Sequence, residues 1–547
     1  MYKFECGCEF EIKDENIKDN DGLPGIFIDF ENVTHDCQAT WSLIQSGHTK
    51  GVFQLETNLG RKWAKELAPS NITEMAALVS LMRPGCLRAI VDGKSMTQHY
   101  CDRKNKGDEV KYFHEALKPI LEETYGVLTY QEQAMKIAQD LAGFNLEEAD
   151  ILRKAIGKKK ADLMAEVKKK FMDGCAKVGL VTEEEAEEIF GWIQESQRYS
   201  FNKSHGVSYG LMGYWSAYVK AHFPYHFYTS WLYYSHEKMD PQEEMQLLIS
   251  DARYFNIEVR PPSLDHVFQG DIGHFALYND CVYFGIGDIK RIGESLVTKI
   301  TTNVKDIEDK LGRTIDKWTW SDFLIHFSAT VSTTAVTGMI ASGATDYLPG
   351  SRVEKIHEYE TWKKMTQKER EWIRDNCYCG SLVKNMNDML ANKPRTSKPR
   401  KEKIVDLIYH AKNAPYSLED TAYYIAQKET ELLGVPITCS KLDTCDTNLT
   451  ADTTCKEFLQ GKTGKMGIAV EITDAKEYII GKGKMKGQKM MFLSAEDATA
   501  SLDSITIFPR SLEGHEPLLI KGSTVLLTGQ RDRQRTESFI VDRITQI

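Results

Sequence analysis

The 547-residue chain changes its hydrophobic period most plainly near residue 460, and that change points to a mainly helical body followed by an all-β portion. Before it, apolar residues recur at three- and four-residue spacing, as in KYFHEALKPILEETYG (111–126) and QEQAMKIAQDLAGF (131–144). Gly126 and Gly143 stand where these helices would stop. Asn145, with Glu148 three residues on, forms an N-cap pair for a helix through Lys154, with Gly157 able to turn the chain beyond it. GVSYGLMGYWSAYVKAHFPYHFYTSWLYY (206–234) reads as a buried helix ended by Pro224. From about residue 465 the pattern alternates instead, through MGIAVEI, YIIGKGKMKGQKMMFLSAED, SITIFP, STVLLTG and SFIVDRI.

These readings divide the chain into five parts. Residues 1–37 are a short polar segment, 38–260 a helical domain, and 261–350 short strands then helices after Pro261-Pro262. Residues 351–460 form a helical or linker region in which NKPRTSKPRKEK reads as a basic exposed loop. Residues 461–547 suggest a small barrel of the oligonucleotide-binding type. The expected fold class is therefore multidomain, mainly α, with a C-terminal all-β barrel.

Composition narrows the functional classes. With 41% hydrophobic and 27% charged residues, the chain has the make-up of a soluble globular protein of roughly three or four domains. Lys plus Arg number 69 against 79 Asp plus Glu, a net charge of −10 that excludes a histone-like polycation. Any contact with nucleic acid must then come from locally basic surface. Runs such as LIYHA or TVLLTG fall far short of the roughly 20 residues of a membrane span, and MYKFECGCEFEIKDENIKDND lacks the features of a leader. Twelve cysteines are too few for a disulfide scaffold, so a cytoplasmic protein with reduced thiols and no membrane partner is expected.

Three clusters carry chemistry. Arg153, Lys154, Lys158, Lys159 and Lys160 fall within eight residues and suit a polyanion, either a triphosphate or a DNA backbone. A solvated helix face is the plainer reading of such a run. YSFNKSHGVSYG (199–210) gathers aromatics, Asn202, Lys203, Ser204, His205 and Tyr209, a set able to hold a nucleotide. VYFGIGDIKRIGES (282–295) has the Gly-x-Gly of a helix-hairpin-helix; Gly285 and Gly287 would admit a DNA phosphate to backbone N–H groups, beside Lys290 and Arg291. In the barrel, Arg531, Arg533 and Arg535 alternate, as do Lys482, Lys484 and Lys486, which suits a single-stranded template. An edge strand protected by charge would look the same.

GVFQLETNLGRKW (51–63), SLMRPGCL (80–87), the segment 123–160, YSFNKSHGVSYG and YVKAHFPYHF (218–227) resemble the alpha subunit of bacterial DNA polymerase III, in that family's order. FGIGDIKRIGE resembles its helix-hairpin-helix, ASGATD (341–346) the segment after it, and 465–547 its oligonucleotide-binding barrel. The resemblance implies that 38–260 is a fingers domain binding deoxynucleoside triphosphates and template-primer DNA. Arg153 and Lys154 match the family's Arg-Arg and would clamp the triphosphate, with Lys158 and Arg83 near them in role. Asn202, Ser204 and His205 match the Phe-Asn-Lys-Ser-His motif; His205 would lie beside the sugar and Tyr209 near base or sugar.

The family's Mg²⁺-binding palm aspartates, two in a Pro-Asp-x-Asp-x-Asp-like segment, have no counterpart in this chain. Asp29 and Glu31, alternating on a possible strand in IFIDFEN, are weak substitutes, since a two-metal site needs a further carboxylate. The resemblance thus implies half of a split polymerase, an arrangement suited to a large phage and an infected host's cytoplasm, completed by a palm-containing subunit. A sliding clamp is a further family partner, although no Gln-x-x-aliphatic-aromatic peptide stands out. Two rivals are a non-catalytic DNA-binding accessory factor derived from polymerase and a truncated fragment. Cys6, Cys8, His35 and Cys37 make two pairs of soft ligands, a candidate zinc knuckle, and Cys377, Cys379, Cys439, Cys445 and Cys455 a weaker second set.

Overall fold

The helical period is realised in two cores within one unit of the chain, whose main span is Ile26–Pro224; a second unit spans Tyr225–Ile547. In this computed structural model the described residues are 28–158, 161–196, 200–266, 273–377, 380–445, 451–533 and 535–547, with the backbone of a few strand residues before them. The first core gathers Trp41, Leu55, Trp63, Met75, Leu78, Tyr100, Tyr214 and Tyr218. Helix α1 (Ile72–Leu81) is its centre, buried from Met75 to Leu81. The second core, with Ile137, Leu141, Leu152, Phe171 and Phe190, is built by α2 (Gln131–Ala142), α3 (Leu146–Lys158), Ala161–Val178 and Glu183–Ser196.

Local signals set these boundaries. Gly143 ends α2 with φ +65°, and the Asn145–Glu148 pair opens α3: Glu148 N–H donates to Asn145 Oδ1 at 2.9 Å, and Asn145 N–H to Glu148 Oε2 at 3.0 Å. The helix does not turn at Gly157 but runs to Lys158. Residues 115–124 are less regular than the spacing predicts, broken into Glu115–Leu117, Lys118–Leu121 and Glu122–Thr124. Pro119 lacks the N–H that a continuous helix would need there. The aromatic stretch is two helices: α4 (Lys203–His222) stops, and Pro224 opens Pro224–Tyr233, since a first-turn proline loses no helical hydrogen bond.

In the second unit, strands Ala276–Tyr278 and Cys281–Tyr283 precede α5 (Glu294–Leu311). The linker-like stretch after residue 350 is helical: α6 (Arg352–Lys363), Gln367–Asn376, Leu382–Asn392 and α7 (Lys398–Lys412), followed by α8 (Ala422–Leu433). The loop expected in NKPRTSKPRKEK is present at 393–397, between two helices, while the part from Lys398 on is helical. Pro399 sits in the first turn of α7, and Ile404 and Ile408 bury that helix's apolar face.

The alternating segments close a five-stranded barrel: β1 (Lys465–Ile479), β2 (Lys489–Glu496), β3 (Ser501–Ile507), β4 (Thr524–Arg531) and β5 (Phe539–Gln546). Their order is β1-β2-β3-β5-β4, returning to β1. Only β3 and β5 pair in parallel. The 15-residue β1 serves two neighbours, β4 through Glu471 and β2 from Glu471 on, with a register break between Ile472 and Asp474. The helical body and β-barrel are thus the fold class the periodicity predicts. Among the described residues no helix is long and apolar enough to cross a membrane.

Candidate functional site

Residues 200–210 of the YSFNKSHGVSYG cluster form the start of α4 and the loop before it; Tyr199 lies outside the described residues. A parallel bridge between Phe201 and Tyr130 holds that loop, with Phe201 N–H donating to Thr129 O at 3.0 Å. Asn202 caps α4, its Oδ1 accepting from His205 N–H at 2.9 Å. Glu132 clamps the same turn: its carboxylate accepts from Asn202 Nδ2 at 2.8 Å and from Lys203 N–H at 2.9 Å. A carboxylate at that end also suits the helix dipole. Lys203, a phosphate ligand on the residue reading, has its ammonium held by Glu123 at 2.8 and 2.7 Å.

The remaining side chains of the cluster form a ladder. The Arg83 guanidinium lies 3.9 Å from the centre of the Phe201 ring, a cation–π contact. Phe201 meets His205 at 5.2 Å, His205 meets Tyr209 at 3.9 Å, and Tyr209 meets Phe53 at 5.2 Å. Arg83, Asn202 and Ser204 are exposed, while His205 and Tyr209 are half-buried, so one edge of the ladder is open to a ligand. Spacing of four residues along α4 lines up His205 and Tyr209, and Phe201, just before the cap, continues their row. Glu123, Glu132 and Phe53 stand in segments that carry the resemblance but were not read as site residues, because each lies 70 or more residues from the side chain it touches.

The ladder depends on how closely α4 approaches α1. A Cβ on Gly210 would sit 3.1 Å from Ala76 N, and one on Gly213 3.1 Å from Phe53 O, both backbone atoms that cannot step aside. Gly210→Val is therefore expected to destabilise the first unit by about 1–3 kcal/mol through overpacking. Thermal unfolding of the variant measures it, and an unchanged melting temperature would contradict the close packing.

Arg153 and Lys154 lie on α3 and direct their charges to their own helix. Asp150 accepts from Arg153 Nε at 2.9 Å and pairs with Lys154 Nζ at 2.6 Å. The Lys154 and Arg153 hydrogen bonds hold the Asp150 carboxyl below its ordinary range. These contacts bring Arg83, Phe201, His205 and Tyr209 together and leave Arg153 and Lys154 as a separate pair on Asp150. The Lys158 side chain lies outside the described residues, as do Lys159 and Lys160.

In the second unit, Gly285 and Gly287 face the backbone of residues 273–274. A Cβ on either would come within 2.3 Å of a backbone atom there. Gly285 N–H donates to Asp288 Oδ2 at 2.8 Å. Lys290 and Arg291 are exposed just before α5, where Arg291 adopts φ +76°. In the barrel, the lysine run is not a strand face, because Lys482, Lys484 and Lys486 occupy the β1–β2 turn, where Gly483 and Gly487 take positive φ. Arg531 ends β4 with its guanidinium 4.0 Å from the Phe458 ring centre, donating to Phe458 O, Thr536 O and Lys462 O. Arg533 and Arg535 are exposed in the β4–β5 turn.

The candidate metal ligands fare unevenly. Cys6 and Cys8 lie outside the described residues. His35 stands edge-on to Tyr214 at 5.6 Å, and the buried Cys37 thiol is 3.1 Å from His222 Nε2. Cys379 is also outside the described residues, and Cys445 Sγ contacts Lys441 O and Thr524 Oγ1, both at 3.5 Å. Asp29 and Glu31 do not alternate on a strand: Asp29 caps the short turn Phe30–Asn32, accepting from Glu31 N–H at 3.2 Å and Asn32 Nδ2 at 2.9 Å. That arrangement does not fit a two-metal catalytic site. Among the described residues no three His, Cys, Asp or Glu side chains are grouped to hold a metal ion.

Known proteins resemble this chain in sequence. Residues 13–179 match the bacterial DNA polymerase III alpha subunit finger domain. The chain is 36% identical to DNA polymerase III subunit alpha of Aquifex aeolicus over 64% of its own length and 28% of that protein. Against the Bacillus subtilis subunit alpha it is 28% identical, over 97% of this chain and 42% of the relative. Against that of Pasteurella multocida it is 29% identical, over 92% and 40%. The chain thus spans less than half the length of each of these relatives.

Proposed function

We propose that the chain serves DNA-templated DNA synthesis in replication, a reading supported by the match of residues 13–179 to the bacterial DNA polymerase III alpha subunit finger domain. Its part is to hold the incoming deoxynucleoside triphosphate and the template-primer DNA. The palm aspartates and their Mg²⁺ belong to a partner chain. The observation that carries this reading is the open ladder of Arg83, Phe201, His205 and Tyr209 capped by Asn202. An aromatic and imidazole edge beside a guanidinium offers a surface to a sugar and base with a cation in reach of phosphate. Arg153, Lys154 and Lys158 take the triphosphate once Asp150 shares or releases its cations. Lys290, Arg291, Lys484 and Arg533 contact DNA, with Gly285 and Gly287 shaping the hairpin that presents the first two. Zinc bound by Cys6, Cys8, His35 and Cys37 would be structural. The site of action is the replication fork in the cytoplasm, with a sliding clamp as a further partner.

The chemistry is attack of a primer 3′-hydroxyl on the α-phosphate with loss of pyrophosphate. Fixing the triphosphate in line with the primer supplies much of such an acceleration, by pre-ordering the reactants. Primer extension with the purified chain, Mg²⁺ and dNTPs, alone and with a palm-bearing chain, tests the proposal. Extension only with the palm-bearing chain is the expected result. Extension by the chain alone would overturn the division between chains. DNA binding without extension in either case would favour an accessory factor.

A further inference from the structure

A buried ammonium ties α4 to a loop that lies 170 residues earlier in the chain. Lys220, in the last turn of α4, is only 3% exposed, and burying a charge is costly unless hydrogen bonds replace its water. Its Nζ donates to His48 O at 2.8 Å and to Lys50 O at 2.9 Å. Both carbonyls belong to the loop between helices Gln38–Ser46 and Asn58–Leu67.

That loop cannot keep its place through a regular ladder. Gly47 and Gly51 take φ +73° and Gln54 φ +66°, all in the left-handed region. It is closed on itself instead: Thr49 Oγ1 donates to Leu55 O at 2.7 Å, Val52 N–H to Thr49 O at 3.0 Å, and Leu55 N–H to Val52 O at 3.0 Å. Thr49, Val52 and Leu55 are fully buried. A loop tied in this way moves as one piece, so a hold on residues 48 and 50 also places residue 53.

Phe53 is the end of the ladder. Its ring stands 5.2 Å from that of Tyr209, and its carbonyl faces Gly213, where a Cβ would sit 3.1 Å away. Tyr209, Gly213 and Lys220 share one face of α4, because the eleven residues from Tyr209 to Lys220 make three turns to within about 20°. The loop therefore lies along that face, held by Lys220 at one end and presenting Phe53 to Tyr209 at the other.

We infer that Lys220 is a positioning residue for nucleotide binding: through the carbonyls of His48 and Lys50 it sets the place of Phe53, which backs the Tyr209 and His205 rings. The inference rests on reading that ladder as the edge that meets sugar and base. Lys220 is buried and acts only through the loop. Its effect therefore falls on sugar and base, while the phosphates answer to Arg83, Arg153 and Lys154. A lysine that only kept the unit folded would show no such preference between parts of the ligand.

The test is equilibrium dialysis of labelled dNTP with the full chain, alongside competition by inorganic tripolyphosphate, which has neither sugar nor base. Lys220→Met is expected to weaken dNTP binding about three- to tenfold, the worth of one aromatic contact, with tripolyphosphate affinity unchanged. Phe53→Ala is expected to do the same. Lys220→Met/Phe53→Ala is expected to bind no more weakly than either single variant, because both act on one contact. Losses that multiply in the double variant would overturn the inference, since Lys220 would then act apart from Phe53. Equal losses of dNTP and tripolyphosphate in Lys220→Met would overturn it too, as would unchanged dNTP binding in Phe53→Ala.

Amide hydrogen exchange reads the anchor without any nucleotide. Val52 and Leu55 are expected to exchange faster in Lys220→Met while the amides of α2 keep their protection. Unchanged exchange at Val52 and Leu55 would remove the anchor itself. A wild-type chain that bound no dNTP, with exchange faster in the variant, would instead remove the nucleotide reading and leave Lys220 as the anchor of the loop alone.

Discussion

Arg352→Met is expected to destabilise the second unit by about 3–5 kcal/mol, the range for removing one partner of a buried ion pair. The Arg352 side chain is 2% exposed and that of Glu429 is fully buried, with Arg352 Nη1 donating to Glu429 Oε1 at 2.9 Å. Arg352 also holds Asp346 through Nε at 3.1 and 3.0 Å and through Nη2 at 2.7 Å, and reaches Thr438 Oγ1 at 3.2 Å. These carboxylates hold its charge more firmly than an ordinary guanidinium's, against the effect of burial. Asp346 is 42% exposed and can turn to water, so its half of the network costs little when Arg352 is lost. Glu429 cannot. It would keep its hydrogen bonds from Ile437 and Thr438 N–H, at 2.6 and 2.7 Å, but no cation. A loss of this size is a large part of the roughly 5–15 kcal/mol that holds a domain folded. Chemical unfolding measures it, and Arg352→Met/Glu429→Leu is expected to recover most of the loss, since apolar pairs often replace buried ion pairs at no cost. A double variant as unstable as the single one would mean that Arg352 acts through packing and not through the charge on Glu429.

That network marks the limit of what the sequence discloses. Asn145 and Glu148 are three residues apart, so their mutual caps are legible as a local rule and are found at 2.9 and 3.0 Å. The barrel is legible for the same reason, since alternation within each strand states which face is buried. Arg352 and Glu429 are 77 residues apart, and neither has a neighbour that announces the other. The same holds at the candidate site. Asn202, Lys203 and His205 stand in one motif, but the Glu132 carboxylate that accepts from Asn202 and from Lys203 N–H comes from α2, 70 residues away in the chain. Where composition spoke instead of periodicity it was half right: the basic, proline-bearing stretch before Ile404 is a turn only to Ser397 and helix from Lys398, and the alternating lysines 482–486 are a turn and not a strand face.

Arg153→Glu/Lys154→Glu is expected to weaken dNTP binding by a hundredfold or more while leaving oligonucleotide binding by the barrel intact. The argument starts from Asp150, which engages both cations on one exposed helix surface. Exposed pairs of this kind are weak because water competes for both partners. A triphosphate brings several charges and many acceptor oxygens, so it outcompetes a single carboxylate for the same two donors. Each charge-assisted hydrogen bond then adds on the order of tenfold to affinity, and reversal replaces two attractions with two repulsions. The same reasoning gives a variant of opposite sign: Asp150→Asn frees Arg153 and Lys154 and is expected to tighten dNTP binding severalfold. Equilibrium dialysis with labelled dNTP measures both, and Arg153→Gln/Lys154→Gln separates lost attraction from the repulsion of three clustered carboxylates. Weaker binding in Asp150→Asn would mean that Asp150 orients the two cations for the triphosphate and does not compete for them. If the charge reversal also abolished oligonucleotide binding, the assignment of nucleotide to α3 and α4 and of single strand to the barrel would be wrong.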